Sequence, residues 1–103
     1  MNESLPTPEP VVFRVFPDGD VIALFPAAPG TPDPSTCASY MHVGQHGAAD
    51  YACVVADTRP ATVKELAPLR AELKQIGYRL QIVARKTAAH DRRRLVALAR
   101  AGA

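Results

Sequence analysis

Two mainly apolar segments, residues 11–16 and 20–25, lie on either side of the dipeptide Asp18-Gly19. Both segments are rich in β-branched and aromatic side chains, which favour strands. An Asp-Gly pair between two such segments is a strong signal for a two-residue hairpin loop, because that turn requires positive φ angles. The pattern therefore predicts an antiparallel β-hairpin.

Both faces of the predicted hairpin are largely apolar. Alternate side chains of a strand share a face, so the loop position fixes which residues lie together. A two-layer domain buries only one face of its sheet, so we expect either the C-terminal helix or a second subunit to cover the other face. One face holds Val11, Phe13, Val15, Ile22 and Leu24, with Val15 opposite Ile22 and Phe13 opposite Leu24; the other holds Val12, Arg14, Phe16, Val21, Ala23 and Phe25.

The remaining strands are predicted from alternation and turn signals. Residues 36–43, 51–56 and 78–85 fit strands, and the proline-rich residues 26–35 fit an exposed loop. Two cysteines without an export signal are expected to be free thiols. A basic head and an apolar stretch are missing from the polar, proline-rich residues 1–10, so we expect a cytoplasmic protein with no membrane association.

Two helices follow from their own patterns. Thr62 and Glu65 match a capping box, which predicts a helix over residues 62–76 that ends at Gly77. The alanine- and arginine-rich residues 88–101 also favour a helix.

These elements predict an α+β fold. The expected sheet is mainly antiparallel, has four to five strands in the order β-β-β-β-α-β, and carries one packed helix, followed by a basic C-terminal helix. We expect a flexible leader over residues 1–10, a single α+β domain over residues 11–86, and a basic C-terminal helix or tail over residues 87–103.

Side chains that can bind ligands or transfer protons are concentrated in residues 40–51. Imidazoles trade protons near neutral pH and bind ligands, while glycines let the backbone turn sharply or approach a ligand. The opposing interpretation is that these side chains satisfy backbone groups in a tight loop, and no catalytic residue is assigned. The candidate ligand-binding residues are Tyr40, His42, Gln45, His46, Asp50 and Tyr51.

A metal site is only weakly indicated. His42 and His46, with Cys37 and Cys53, supply four zinc-type ligands within seventeen residues. Cys37 and His42 are five residues apart, so on one strand they point to opposite faces, and the spacing matches no paired zinc motif. We therefore expect no cofactor.

Residues 40–51 are also part of a resemblance to a known protein family. Around the run His-x-Gly-Gln-His-x-x-Ala-Asp-Tyr, residues 11–86 resemble a family of small uncharacterised bacterial proteins. That family has no assigned activity, so the resemblance implies kinship and no particular chemistry. The similarity rests on Val21-Ile22-Ala23-Leu24-Phe25-Pro26, the run from Tyr40 to Tyr51, Thr58-Arg59-Pro60-Ala61-Thr62, Glu72-Leu73 and Ile76-Gly77-Tyr78.

Charge is distributed unevenly along the chain. Residues 1–84 hold six lysines and arginines against nine acidic residues, whereas residues 85–103 hold six against one. A basic segment attracts anionic partners, although no aromatic residue after Tyr78 is present to stack on bases. The candidate contacts for an anion or nucleic acid are Arg85, Lys86, Arg92, Arg93, Arg94 and Arg100.

Three functional hypotheses follow. The first is a small binding or adaptor domain without catalysis, able to form oligomers such as a homodimer. The second is a small enzyme or ligand-binding protein that uses the His42-Gln45-His46-Asp50 loop. The third is a nucleic-acid-binding accessory protein that uses the basic tail, which also suits an acidic protein partner.

Overall fold

The computed structural model describes residues 7–102, and within them the chain forms six strands and three helices. The predicted α+β class with a mainly antiparallel sheet is confirmed. No helix within this range is long and apolar enough to cross a bilayer. The elements are β1 (Glu9–Val15), β2 (Val21–Pro29), β3 (Thr36–Met41), β4 (Gln45–Asp50), α1 (Tyr51–Asp57), β5 (Arg59–Pro60), α2 (Val63–Ile76), β6 (Leu80–Ile82) and α3 (Ala88–Ala101).

The sheet has the strand order β4-β3-β2-β1-β5, and each neighbouring pair on this path is antiparallel. The outer edge of β1 is shared by two strands. β6 pairs in parallel with its first residues, from Glu9 to Val11, whereas β5 pairs with Arg14 and Val15. We predicted a longer strand over residues 78–85 inside the sheet; the observed strand is short and pairs with β1 alone.

The first hairpin differs from its predicted register by one residue. Its loop has three residues rather than two, because Phe16 donates its N–H to the carbonyl of Asp20 at 2.9 Å. Gly19, with φ +95°, donates to the carbonyl of Phe16, as in a turn followed by a glycine bulge. Phe13 therefore lies opposite Ala23 rather than Leu24, and every β2 side chain lies on the face opposite to the predicted one.

Helices cover both faces of the sheet. On the first face, α2 contributes its leucines to the core. On the second, α1 packs Tyr51 and Val54 against the core, and α3 lies against β2. Helices of the same chain thus cover the second face. We had two expectations for this cover, the C-terminal helix or a second subunit. The first core holds Val11, Phe13, Ala23, Phe25, Tyr40, Leu66, Leu69 and Leu73, and the second holds Val12, Ile22, Leu24 and Cys37.

Helix α2 begins and ends where its sequence predicts. The Thr62 hydroxyl accepts from the Glu65 N–H at 3.2 Å, and the Glu65 carboxylate accepts from the Thr62 N–H at 2.9 Å. Gly77, at φ +121°, follows the last turn. The helix continues through Pro68, which lacks the N–H that a helix interior normally uses.

Three predicted boundaries need correction. Residues 51–56 are helical, because the Asp50 carboxylate accepts the Cys53 N–H at 3.1 Å and so starts α1; the fourth strand is Gln45–Asp50. β2 continues to Pro29 across an irregularity in its pairing with β3, so the predicted loop over residues 26–35 begins later. β1 begins at Glu9, within the predicted leader, whose residues 1–6 lie outside the described residues.

Candidate functional site

The tip of the β3–β4 hairpin has an unusual backbone. Met41 lies opposite Gln45, which leaves a loop of His42, Val43 and Gly44. Val43 has φ +62° and Gly44 has φ +76°. Among the described residues, Val43 is the one non-glycine with positive φ. A β-branched side chain is disfavoured in this left-handed region, so the tip needs support from elsewhere.

Glu72 of α2 supplies that support. Its carboxylate accepts the Tyr40 hydroxyl, the His42 imidazole at 2.6 Å through Nδ1, and the Val43 N–H at 2.8 Å. An ionised carboxylate only accepts, so the proton of His42 lies on Nδ1. The Tyr40 hydroxyl in turn accepts the Gly44 N–H at 2.9 Å. We call Tyr40, His42, Val43, Gly44 and Glu72 the hairpin-tip cluster.

Hydrogen bonding within this cluster shifts two pKa values in opposite directions. The bond from Tyr40 to Glu72 raises the pKa of the phenol above its ordinary value. The same bond lowers the pKa of Glu72, and the donors from His42 and Val43 add to this effect. Both shifts favour a neutral phenol that donates to an ionised carboxylate.

The two histidines lie on different sides of this arrangement. His46 packs edge-on against Tyr40, with ring centroids 4.6 Å apart, and faces Tyr78 at 6.5 Å. It lines a shallow depression of about 280 Å³ with Ile76 and Gly77. His42 lines a separate depression of about 210 Å³ that also includes Val21, Pro68 and Leu69. The two imidazoles therefore do not face a common cavity.

Within residues 7–102, no side-chain hydrogen bond joins the other three predicted ligand-binding residues to the cluster. Gln45 is an exposed residue at the start of β4. Asp50 caps α1 through the Cys53 N–H. Tyr51 packs against the second core, and its hydroxyl accepts the Lys86 N–H at 2.9 Å. The structure thus places Tyr40 and His42 on Glu72 and packs His46 against the Tyr40 ring, whereas Asp50 and Tyr51 bond to other partners.

The cysteines and histidines do not converge. Cys37 is buried in the second core, where burial raises the pKa of its thiol to about 11. Cys53 is an exposed free thiol on α1, and the charge of Asp50 raises its pKa. Within residues 7–102, no three histidine, cysteine or acidic side chains are grouped so that they could hold a metal ion.

Three of the six basic candidates, Lys86, Arg93 and Arg94, are engaged in ion pairs. Arg94 is 8% exposed and donates to the Pro26 carbonyl and to Asp91 at 2.8 Å each. Lys86 pairs with Asp91 at 2.7 Å and lies over the Tyr51 ring. Arg93 reaches Glu9 at 3.4 Å. For the part of the chain that the structure describes, no ion pair is found for the other three, Arg85, Arg92 and Arg100.

Sequence reasoning missed the role of Glu72. This residue lies thirty positions after His42, and no local spacing connects them. A signal did exist, because Glu72 lies next to Leu69 and Leu73 on the apolar stripe of α2. A carboxylate beside a buried stripe requires partners, which points to donors on the facing hairpin.

Comparisons with known proteins identify no relative of this chain. No family model, curated protein or solved structure matches the chain.

Proposed function

We propose that this protein is a non-catalytic binding module that recognises its partner through the tip of the β3–β4 hairpin. The observation that carries the proposal is the exposed, left-handed Val43, which the protein holds in place with a carboxylate from another element. Unusual backbone conformations persist only where the surrounding structure maintains them, and they concentrate at binding and switch sites.

Exposure and rigidity at the tip both suit recognition. The Val43 residue is 75% exposed, and the His42 side chain is 78% exposed. Neither contributes its apolar surface to the core, yet both are fixed through Glu72. A side chain that is ordered before binding loses little conformational freedom when a partner arrives. The tip therefore presents an apolar contact and a hydrogen-bonding imidazole in fixed geometry.

The pKa shifts support binding over catalysis. A general acid or base works best when its pKa lies near the ambient pH. In the hairpin-tip cluster the pKa of Glu72 falls and the pKa of Tyr40 rises, so both move away from neutrality. Both shifts favour a neutral Tyr40 and an ionised Glu72. Groups that keep one protonation state suit a structural support better than proton transfer.

Val43→Gly tests the proposal with two readouts. Glycine adopts positive φ without steric cost, so we expect the free energy of unfolding to rise by about 1 kcal/mol. Loss of the side chain should reduce the yield of specifically captured partners in a quantitative pull-down. Val63→Ala is the matched control, since Val63 is 79% exposed on α2. Equal capture by wild type and Val43→Gly would overturn the proposal.

A further inference from the structure

The two edges of the sheet differ in whether a further strand pairs with them. The outer edge of β1 is occupied along its length by β5 and β6. The outer edge of β4 has no neighbour among the described residues, and its residues from Gln45 to Ala48 are exposed. An open edge strand presents unpaired N–H and C=O groups that can accept another strand.

The usual devices that protect an edge are missing from β4. Its sequence, Gln45 to Asp50, contains no lysine, arginine or proline. Its register with β3 is continuous over all six residues, so no bulge twists the strand away. Natural edge strands are commonly blunted by such charges, prolines or bulges. The middle of β4 instead carries the small residues Gly47, Ala48 and Ala49.

We propose that β4 pairs antiparallel with β4 of a second copy of this chain. Two identical antiparallel strands are related by a two-fold axis perpendicular to the sheet, so residues directly opposite each other lie on the same face. A register centred on Ala48 meets this condition. It places Ala48 opposite its own equivalent, Gly47 opposite Ala49, and His46 opposite Asp50 of the other copy.

Charge complementarity favours this register and this occupant. Each His46 faces one carboxylate of the other copy, so the interface contains two oppositely charged or hydrogen-bonded cross-strand pairs. Centring the register on Gly47 would place His46 opposite Ala48 and lose both pairs. Because β5 and β6 already occupy the other edge of each sheet, the assembly closes at two copies instead of extending.

Oligomeric state at increasing concentration tests the pairing. Sedimentation equilibrium of the wild type from low to high micromolar concentration should show a monomer–dimer equilibrium. Gly47→Lys places a charge on the edge and should leave a monomer. Gly47→Thr is the matched control and should still dimerise; a Cβ at this position meets only the Ser39 hydroxyl, at 3.4 Å. Circular dichroism establishes that both variants are folded.

Cross-linking tests the register. In a Cys53→Ala background, Ala48→Cys should form a disulfide-linked dimer on oxidation, because the two positions are directly opposite. Gln45→Cys should not, since the two equivalents would lie ~20 Å apart. Asp50→Asn keeps the helix cap and should raise the dimer dissociation constant by about threefold to tenfold. A wild type that stays monomeric at high concentration, or that pairs only with an added extended peptide, would overturn the proposal.

Discussion

A single carboxylate, Glu72, receives three donors from a hairpin that is distant in sequence. We expect Glu72→Gln and Tyr40→Phe each to lower the free energy of unfolding. The double variant should lose less than the sum of the two, since Tyr40→Phe removes the hydrogen bond that Glu72→Gln weakens by removing the charge of its acceptor. Urea unfolding measures all three, with the exposed Lys74→Gln as control. Additive losses would show that the two side chains act independently.

Acid should weaken the same support. The native pKa of Glu72 lies below the ordinary value of 4.5, so its stabilising effect is complete above that value and is lost as pH falls through the lowered pKa. The pKa of Glu65 is also lowered, to about 2, by its bonds to Arg59 and Thr62, so total stability responds to more than one carboxylate in acid. The informative quantity is therefore the stability difference between wild type and Glu72→Gln, which should shrink below pH 4.5. A constant difference would contradict the assignment.

Tyr40, His42 and His46 were identifiable from sequence because they are local and chemically distinctive. Glu72 was harder to identify because its role depends on α2 packing against the hairpin tip. Asp50 illustrates the opposite problem. Its proximity to the histidines suggested a ligand, whereas it caps α1. Spacing in the sequence shows only which residues are close along the chain. Hydrogen bonds form between residues that are close in the folded structure.

At the level of elements, α3 buries its Arg94 side chain more deeply than either of its leucines. Leu95 and Val96 are 45% and 50% exposed, while Arg94 is buried and bonded to backbone carbonyls. We expect Arg94→Ala to cost about 2–4 kcal/mol, because it leaves the Pro26 and Pro34 carbonyls without this donor and removes one of the two ion pairs of Asp91. Thermal unfolding measures the loss.

Arg92→Ala is the matched control for that prediction. Arg92 is exposed on the same helix and has no ion pair among the described residues, so its change should be within about 0.5 kcal/mol of zero. Equal destabilisation by both variants would contradict the assignment, because Arg92 lacks the buried contacts of Arg94 and alanine favours a helix at either position.

End signals helped to locate some elements, but α3 (Ala88–Ala101) was predicted from composition alone. The Thr62 capping box located α2 correctly. Residues 51–56 were assigned to a strand because a short apolar run fits either a strand or a buried helix turn. The Asp18-Gly19 signal identified the hairpin but not its loop length, and an error of one residue exchanged the two faces of β2.

For the molecule as a whole, the C-terminal helix is part of the layer over the second face of the sheet, where it lies against β2. We expect a chain truncated after residue 86 to expose the second face of the sheet, because α3 lies against β2 there. Such a chain should bind a hydrophobic dye and lose its cooperative thermal transition. A truncated chain with the melting temperature of the full chain would show that α3 is dispensable.

Strand β1 is synthesised before β5 and β6, the two strands that pair with its outer edge. Its outer edge therefore stays unsatisfied until about seventy more residues have emerged, as the pairing of Glu9 with Leu80 requires. Long-range parallel pairing closes slowly, and an uncovered strand edge invites aggregation in the meantime. The nascent chain should accordingly depend on chaperone protection until β6 has emerged and paired with β1.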